Sequence, residues 1–204
     1  MIKINRSAFS IVEILVGMLI FTMGVVSVYS VIIKTLNLND YNKNYIIASF
    51  LAREQIELVR NIRDSNYKKV QVYNQLNPST SNHTSVFEVG KYYKIENDIS
   101  YSNGFSVKIN EITDFGEGVS ELNGKMLNYE LCLNNDNLYV HDCSLSNKKT
   151  IFFKYIKIDP IQYNDLSGLK TIDDGFKVTS KVIWYMKGYH EFEIVSIFTD
   201  YKRF

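Results

Sequence analysis

Residues 9–33 form an apolar run whose one charged side chain is a carboxylate, Glu13, and they follow a short basic leader containing Lys3 and Arg6. A carboxylate in hydrocarbon costs about 2.5–3.5 kcal/mol even on the lenient insertion scale. It persists there when something in the final structure neutralises it. The uninterrupted stretch 14–33 rises about 30 Å as a helix at 1.5 Å per residue, the thickness of a bilayer core. One span fits. Lys3 and Arg6 ahead of it predict an N-terminus held in the cytoplasm and a chain exported from Lys34 onward. A cleavable secretory signal has its small residues after a shorter apolar stretch. Here the small pair, Ser7-Ala8, precedes a run that is too long, which leaves a plain membrane anchor or a span with an added role for Glu13.

The segment Ala8-Phe9-Ser10-Ile11-Val12-Glu13-Ile14-Leu15 resembles the class III prepilin signal of the type IV pilin and pseudopilin superfamily. The resemblance implies cleavage by a membrane prepilin peptidase between Ala8 and Phe9. It further implies N-methylation of Phe9 and a Glu at the fifth mature position, which is Glu13. Ala8 stands where that family usually has Gly. In such a filament a neighbouring subunit's N-terminal ammonium pairs with the buried Glu. Removing one partner of a buried pair costs about 3–5 kcal/mol, so the pairing would set the axial register of subunits. The partners implied are the peptidase, the lipid bilayer before assembly, and other pilin or pseudopilin subunits through the N-terminal helix.

Beyond the span, residues 35–44 are polar without Pro or Gly, and a helical period returns at Tyr45, Ala48, Ala52, Ile56, Val59 and Ile62. These positions make one packing face. Arg53, Glu54, Glu57, Arg60 and Arg63 read as a solvated face with an Arg53–Glu57 pair worth tenths of a kcal/mol, and Arg60 and Arg63 suit a helix C-terminus. A continuous helix over 9–63 would be about 80 Å long. Residues 51–64 also resemble the end of this helix in minor pilins of the pilus-modification V-type branch.

After Asp64 the pattern changes. Residues 68–90 hold Asn77-Pro78 and Ser79-Thr80-Ser81-Asn82 and read as a long loop. Strands are expected at 92–95, 105–109, 129–133, 138–141 and 151–158, and the clearest alternation is Phe176, Val178, Val182, Trp184 and Met186 against Lys177, Thr179, Lys181 and Lys187. A three-residue loop, Lys187-Gly188-Tyr189, would pair Trp184 with Phe192 and Val182 with Ile194. This closing hairpin resembles the last strands of V-type minor pilins. The expected fold is α+β: leader 1–8, helix 9–63, and an extracytoplasmic β-rich head over 64–204. The 15 Tyr and 12 Phe against 2 Pro favour strands over disorder.

Chemistry is sparse. Net charge is +1, and losing Lys3 and Arg6 leaves 21 of the 23 basic side chains against 22 acidic ones, which gives no basic surface for nucleic acid. Cys132 and Cys143 lie outside the membrane on this topology, where an even count suggests a disulfide. A hairpin with Asn135-Asp136 at its tip would set Cys132 against Tyr139, so Cys143 reaches it only if the chain turns back near Asp142. Both states stay open. His83, His141 and His190 lack ligand spacing, and no metal or cofactor is expected. Asp114-Phe115-Gly116 spells a kinase triplet without its companion motifs. Asp165, Asp173 and Asp174 could approach calcium, with a plain acidic turn as the simpler reading. No enzyme is expected. The resemblance implies a minor subunit of a type IV pilus or its tip complex, with a secretion or DNA-uptake pseudopilin or a tip adhesin as alternatives.

Overall fold

The computed structural model describes residues 10–76, 86–97, 107–166 and 168–201. The leader, Ala8 and Phe9, the Asn77-Pro78 turn, His83 and residues 105–106 of an expected strand lie outside these residues. The chain divides into two compact units, one up to Asn44 and one from Tyr45 onward.

Helix α1 is Ile11–Lys68. It starts where the Ser10 carbonyl accepts the Glu13 and Ile14 amides. It runs past Arg63 because nothing breaks it there, and it stops where Val70 takes a left-handed φ of 55°. Asn66, fully buried, secures this end by donating to the Tyr73 and Gln75 carbonyls at 3.1 and 2.9 Å.

The second unit contains a seven-stranded antiparallel sheet, so the chain is α+β. Its strands are β1 (Tyr92–Asn97), β2 (Val107–Glu111), β3 (Glu130–Leu133), β4 (Tyr139–Val140), β5 (Lys148–Asp165), β6 (Gly168–Tyr185) and β7 (Tyr189–Thr199). β5 is the axis. One edge pairs with β6, which carries β7; the other edge pairs with β3 and then β1, which carry β4 and β2.

One face of the sheet takes the helix. Ala48, Ala52, Ile56, Val59 and Ile62 are buried at helical spacing against Phe152, Val182 and Trp184 at one end and Ile156, Val178 and Phe198 at the other. Burying each large side chain contributes about 1.5–3 kcal/mol before entropy is subtracted. The opposite face of β6, which carries Lys177, Thr179 and Lys181, is not bare. Instead residues 112–129, with two short 3-10 turns (Val119–Glu121 and Lys125–Tyr129), lay Ile112, Met126 and Tyr129 over Phe153, Tyr155 and Ile183. The sheet is therefore covered on both sides, which is why 152–156 is a continuous buried run instead of an alternating one.

Three local expectations are corrected. The closing hairpin turns at Met186-Lys187-Gly188, so Trp184 opposes His190 and Val182 opposes Phe192. Lys187 and Gly188 take φ of 55° and 154°, and the Met186 amide donates to the Gly188 carbonyl at 3.0 Å. The shift is two residues, so each side chain keeps its face. In the β3–β4 hairpin, Cys132 opposes Val140, not Tyr139, because the Asn134 side chain accepts the Asp136 and Leu138 amides and widens the turn. On the helix, Glu57 pairs with Arg60 and not with Arg53.

Candidate assembly helix and the charged groups of the head

Within the first unit, every described residue from Ser10 to Lys43 is exposed. The helix is long and apolar enough to cross a membrane. Its few hydroxyls suit an apolar solvent. Thr22, Ser27, Ser30 and Thr35 each donate to a carbonyl three or four residues earlier, at 2.8–3.0 Å, so these four hydroxyls are satisfied within the helix. Glu13 sits in the first helical turn. A carboxylate there is favoured by the positive end of the helix dipole. Among the described residues no cation meets it.

In the second unit the face read as solvated is partly engaged. Arg53 and Arg60 are exposed, but the Arg63 guanidinium lies 5.4 Å from the centre of the Phe198 ring and 4.9 Å from that of Tyr201. Glu54 accepts from Lys154 Nζ at 3.1 Å and from Asn97 Nδ2 at 3.2 Å. Sequence alone gave no sign of this contact, since Lys154 sits in a strand among Phe152, Phe153 and Tyr155 and no spacing rule links it to Glu54.

Glu117 is a second acid that spacing did not single out. Burial raises its pKa, but the Lys181 ammonium at 2.7 Å and the Tyr155 and Tyr189 hydroxyls at 2.8 and 3.0 Å outweigh burial and hold it below the ordinary 4.5. It pins the 112–129 excursion to β5, β6 and β7. Phe115 does the same apolar work, stacked on Tyr92 with ring centres 3.6 Å apart, while Asp114 pairs on the surface with Lys125. The Asp-Phe-Gly triplet is thus part of a packed flap.

Cys132 and Cys143 form a disulfide with Cα atoms 5.3 Å apart. The one-residue change in hairpin register and the turn at Asp142, which caps the Ser144 amide and accepts from Asn147, bring Cys143 back to Cys132. In the chain-entropy view so short a loop contributes about 3 kcal/mol. Glu130 lies beside both sulfurs, but the sulfurs are bonded to each other and Glu130 holds Lys149 at 2.9 Å, which leaves no ligand set for a metal. His141, inside the loop, docks by donating its backbone amide to Glu96 at 2.8 Å and turning Nδ1 toward the Glu130 carbonyl at 3.3 Å. Its Nε2 is buried with no partner. Desolvation, with Lys154, Lys94 and Lys108 nearby, pushes its pKa well below 6.5, so the ring is neutral. His190 stacks on Trp184. Asp165 pairs with Lys170 near the tip of the β5–β6 hairpin, whereas Asp173 and Asp174 sit partway along it, at the bulge where the ladder slips between Pro160 and Ile161. The three acids are not gathered into one site.

Comparison with known proteins gave no match to a protein family, a curated protein or a solved structure.

Proposed function

We propose that this chain is a structural subunit of the type IV pilin kind, a minor pilin held in the membrane by α1 and assembled through it into a filament or its tip complex. The observation that carries the reading is the stretch of α1 from Ile11 to Ile33: every described side chain there is exposed, and its one charged group is Glu13, in the opening turn. A simple anchor has no use for that acid, which would raise the cost of insertion. Assembly does, because a cation from a neighbouring subunit neutralises it where lipid cannot. The sequence Ala8-Phe9-Ser10-Ile11-Val12-Glu13 supports the same reading, with cleavage at Ala8/Phe9 and methylation of Phe9 supplying the amine. A pseudopilin of a secretion or uptake machine shares every one of these features and differs in where the assembled protein is found.

A Glu13→Ala substitution separates anchoring from assembly. Membrane extraction and cell-surface shearing of cells expressing wild type or variant give the readout. The variant is expected to stay in membranes at wild-type abundance and to fall at least tenfold in sheared filaments. Equal incorporation of both proteins would contradict the proposal.

A further inference from the structure

We infer that the β5–β6 hairpin beyond Pro160 is a docking arm, and that it seats in a groove at the opposite end of the sheet on a second copy of this chain. The contact belongs to the head alone and depends on neither Glu13 nor the first unit.

β1 pairs with β5 no further than Lys157, and β7 with β6 no further than Gly175, so past the bulge the hairpin is a two-stranded ribbon. An isolated two-stranded hairpin is marginally stable at best in water. Every described residue of this one from Gln162 to Asp173 is exposed, Tyr163, Leu166, Leu169 and Ile172 among them. Its base is nevertheless fixed. Asp173 to Gly175 bulge opposite the Pro160–Ile161 step, and a Cβ on Gly175 would stand 2.7 Å from Ile161 Cδ1 and 2.8 Å from the Phe198 carbonyl oxygen, which excludes a side chain there. By register, Ile161, Ile172, Tyr163, Lys170 and Asp165 share one face of the arm. That face reads as an apolar rung, then Tyr163 beside Lys170, whose ammonium holds Asp165 at 2.6 Å.

The receiving surface lies at the other end of β5 and β6, about 45 Å away along β5 from Asp165 to Ile151 at about 3.3 Å per residue. That separation keeps an arm from its own groove. The groove has a volume of about 490 Å³ and lies between Leu122 and Leu127 of the 112–129 excursion and Ile151, Phe153 and Tyr185 of the sheet. Leu127, Ile151 and Tyr185 are exposed there. One ion pair lines it, Glu130 with Lys149 at 2.9 Å, and the Lys149 side chain is 65 % exposed. Arm and groove therefore match: apolar side chains on each, and beside them one acid and one base. When the arm of one copy enters the groove of the next, Lys170 meets Glu130 and Asp165 meets Lys149, so the pairs exchange without leaving a charge alone while the apolar faces leave water. Each copy carries the arm at one end of its sheet and the groove at the other, so the contact is heterologous and repeats head to tail instead of closing into a dimer. Holding both halves of the match selects a second copy of the chain as the occupant.

The test is photo-crosslinking of the full-length protein in detergent, with a benzophenone amino acid in place of Tyr163, followed by peptide mapping. The expected product is a covalent link between two copies that joins position 163 to the peptide holding Ile151 or to the one holding Tyr185. Asp165→Lys and Lys149→Glu, both at exposed side chains, should each lower its yield at least fivefold. Mixing probe-bearing Asp165→Lys protein with an excess of Lys149→Glu protein lets a reversed arm meet a reversed groove, and the yield should return to within twofold of wild type, which misfolded variants would not show. Glu13→Ala protein should crosslink as wild type does, so failure of the assembly reading would leave this contact standing. Wild-type protein that forms no link to a second copy, a link that maps elsewhere on it or to a different protein, or a mixture that does not recover would overturn the inference.

Discussion

His141 is the residue whose ionisation the head resists most plainly. Its ring is enclosed by the disulfide loop, with Nε2 unpartnered, Lys154 on β5, Lys94 and Glu96 on β1, Lys108 on β2 and Glu130 on β3. Because its folded pKa is depressed, the unfolded chain binds the proton first. The stability it contributes is complete above about 6.5 and is lost as pH falls below that value toward the folded pKa. Thermal melting is therefore expected to shift downward as pH drops below 6.5, and His141→Phe should flatten that dependence relative to wild type. A variant with an unchanged pH slope would remove His141 as its source. Glu117 acts in the same direction at lower pH, since its folded pKa also lies below the ordinary value.

Among the elements, the contact of α1 with the sheet depends on small residues. Ala48 and Ala52 are fully buried beside Trp184, and the Ala52 carbonyl accepts from Ser180 Oγ at 2.8 Å, while Ser180 Oγ accepts from Gln55 at 2.9 Å. There is no room here for a larger side chain. Ala52→Leu is expected to destabilise by about 1–3 kcal/mol through overpacking. Trp184, the single tryptophan of the chain, reports on this contact by its fluorescence during denaturation. An unchanged unfolding midpoint would show that the interface is looser than these contacts imply. This helix face was legible in the sequence because Ala48, Ala52, Ile56, Val59 and Ile62 repeat at the helical period. The hairpin registers were less legible. Parity fixed which face each β7 side chain takes, but the turn at Met186-Lys187-Gly188 depends on Lys187 adopting a left-handed φ, and sequence patterns do not signal that for lysine. The same limit applied to Asn134, whose side chain reset the β3–β4 turn and with it the reach of Cys143.

At the scale of the whole molecule, two units with different surfaces share one chain. The first exposes apolar side chains, with Thr22, Ser27, Ser30 and Thr35 bonded to its own carbonyls; the second buries a core on both faces of a sheet. The apolar helix was legible because composition over 14–33 decides it. The second layer of the head was not, since 112–129 has neither helical nor alternating periodicity, and its residues are held by Glu117, Phe115 and Tyr129 through contacts distant in sequence. The Glu54–Lys154–Asn97 trio was hidden for the same reason. The central claim, that α1 is an assembly element made by cutting the leader, is tested most directly by the mass of the N-terminal peptide of protein sheared from the cell surface. The account predicts a peptide beginning at Phe9 and carrying an N-methyl group; a surface protein that still retains residues 1–8 would contradict it.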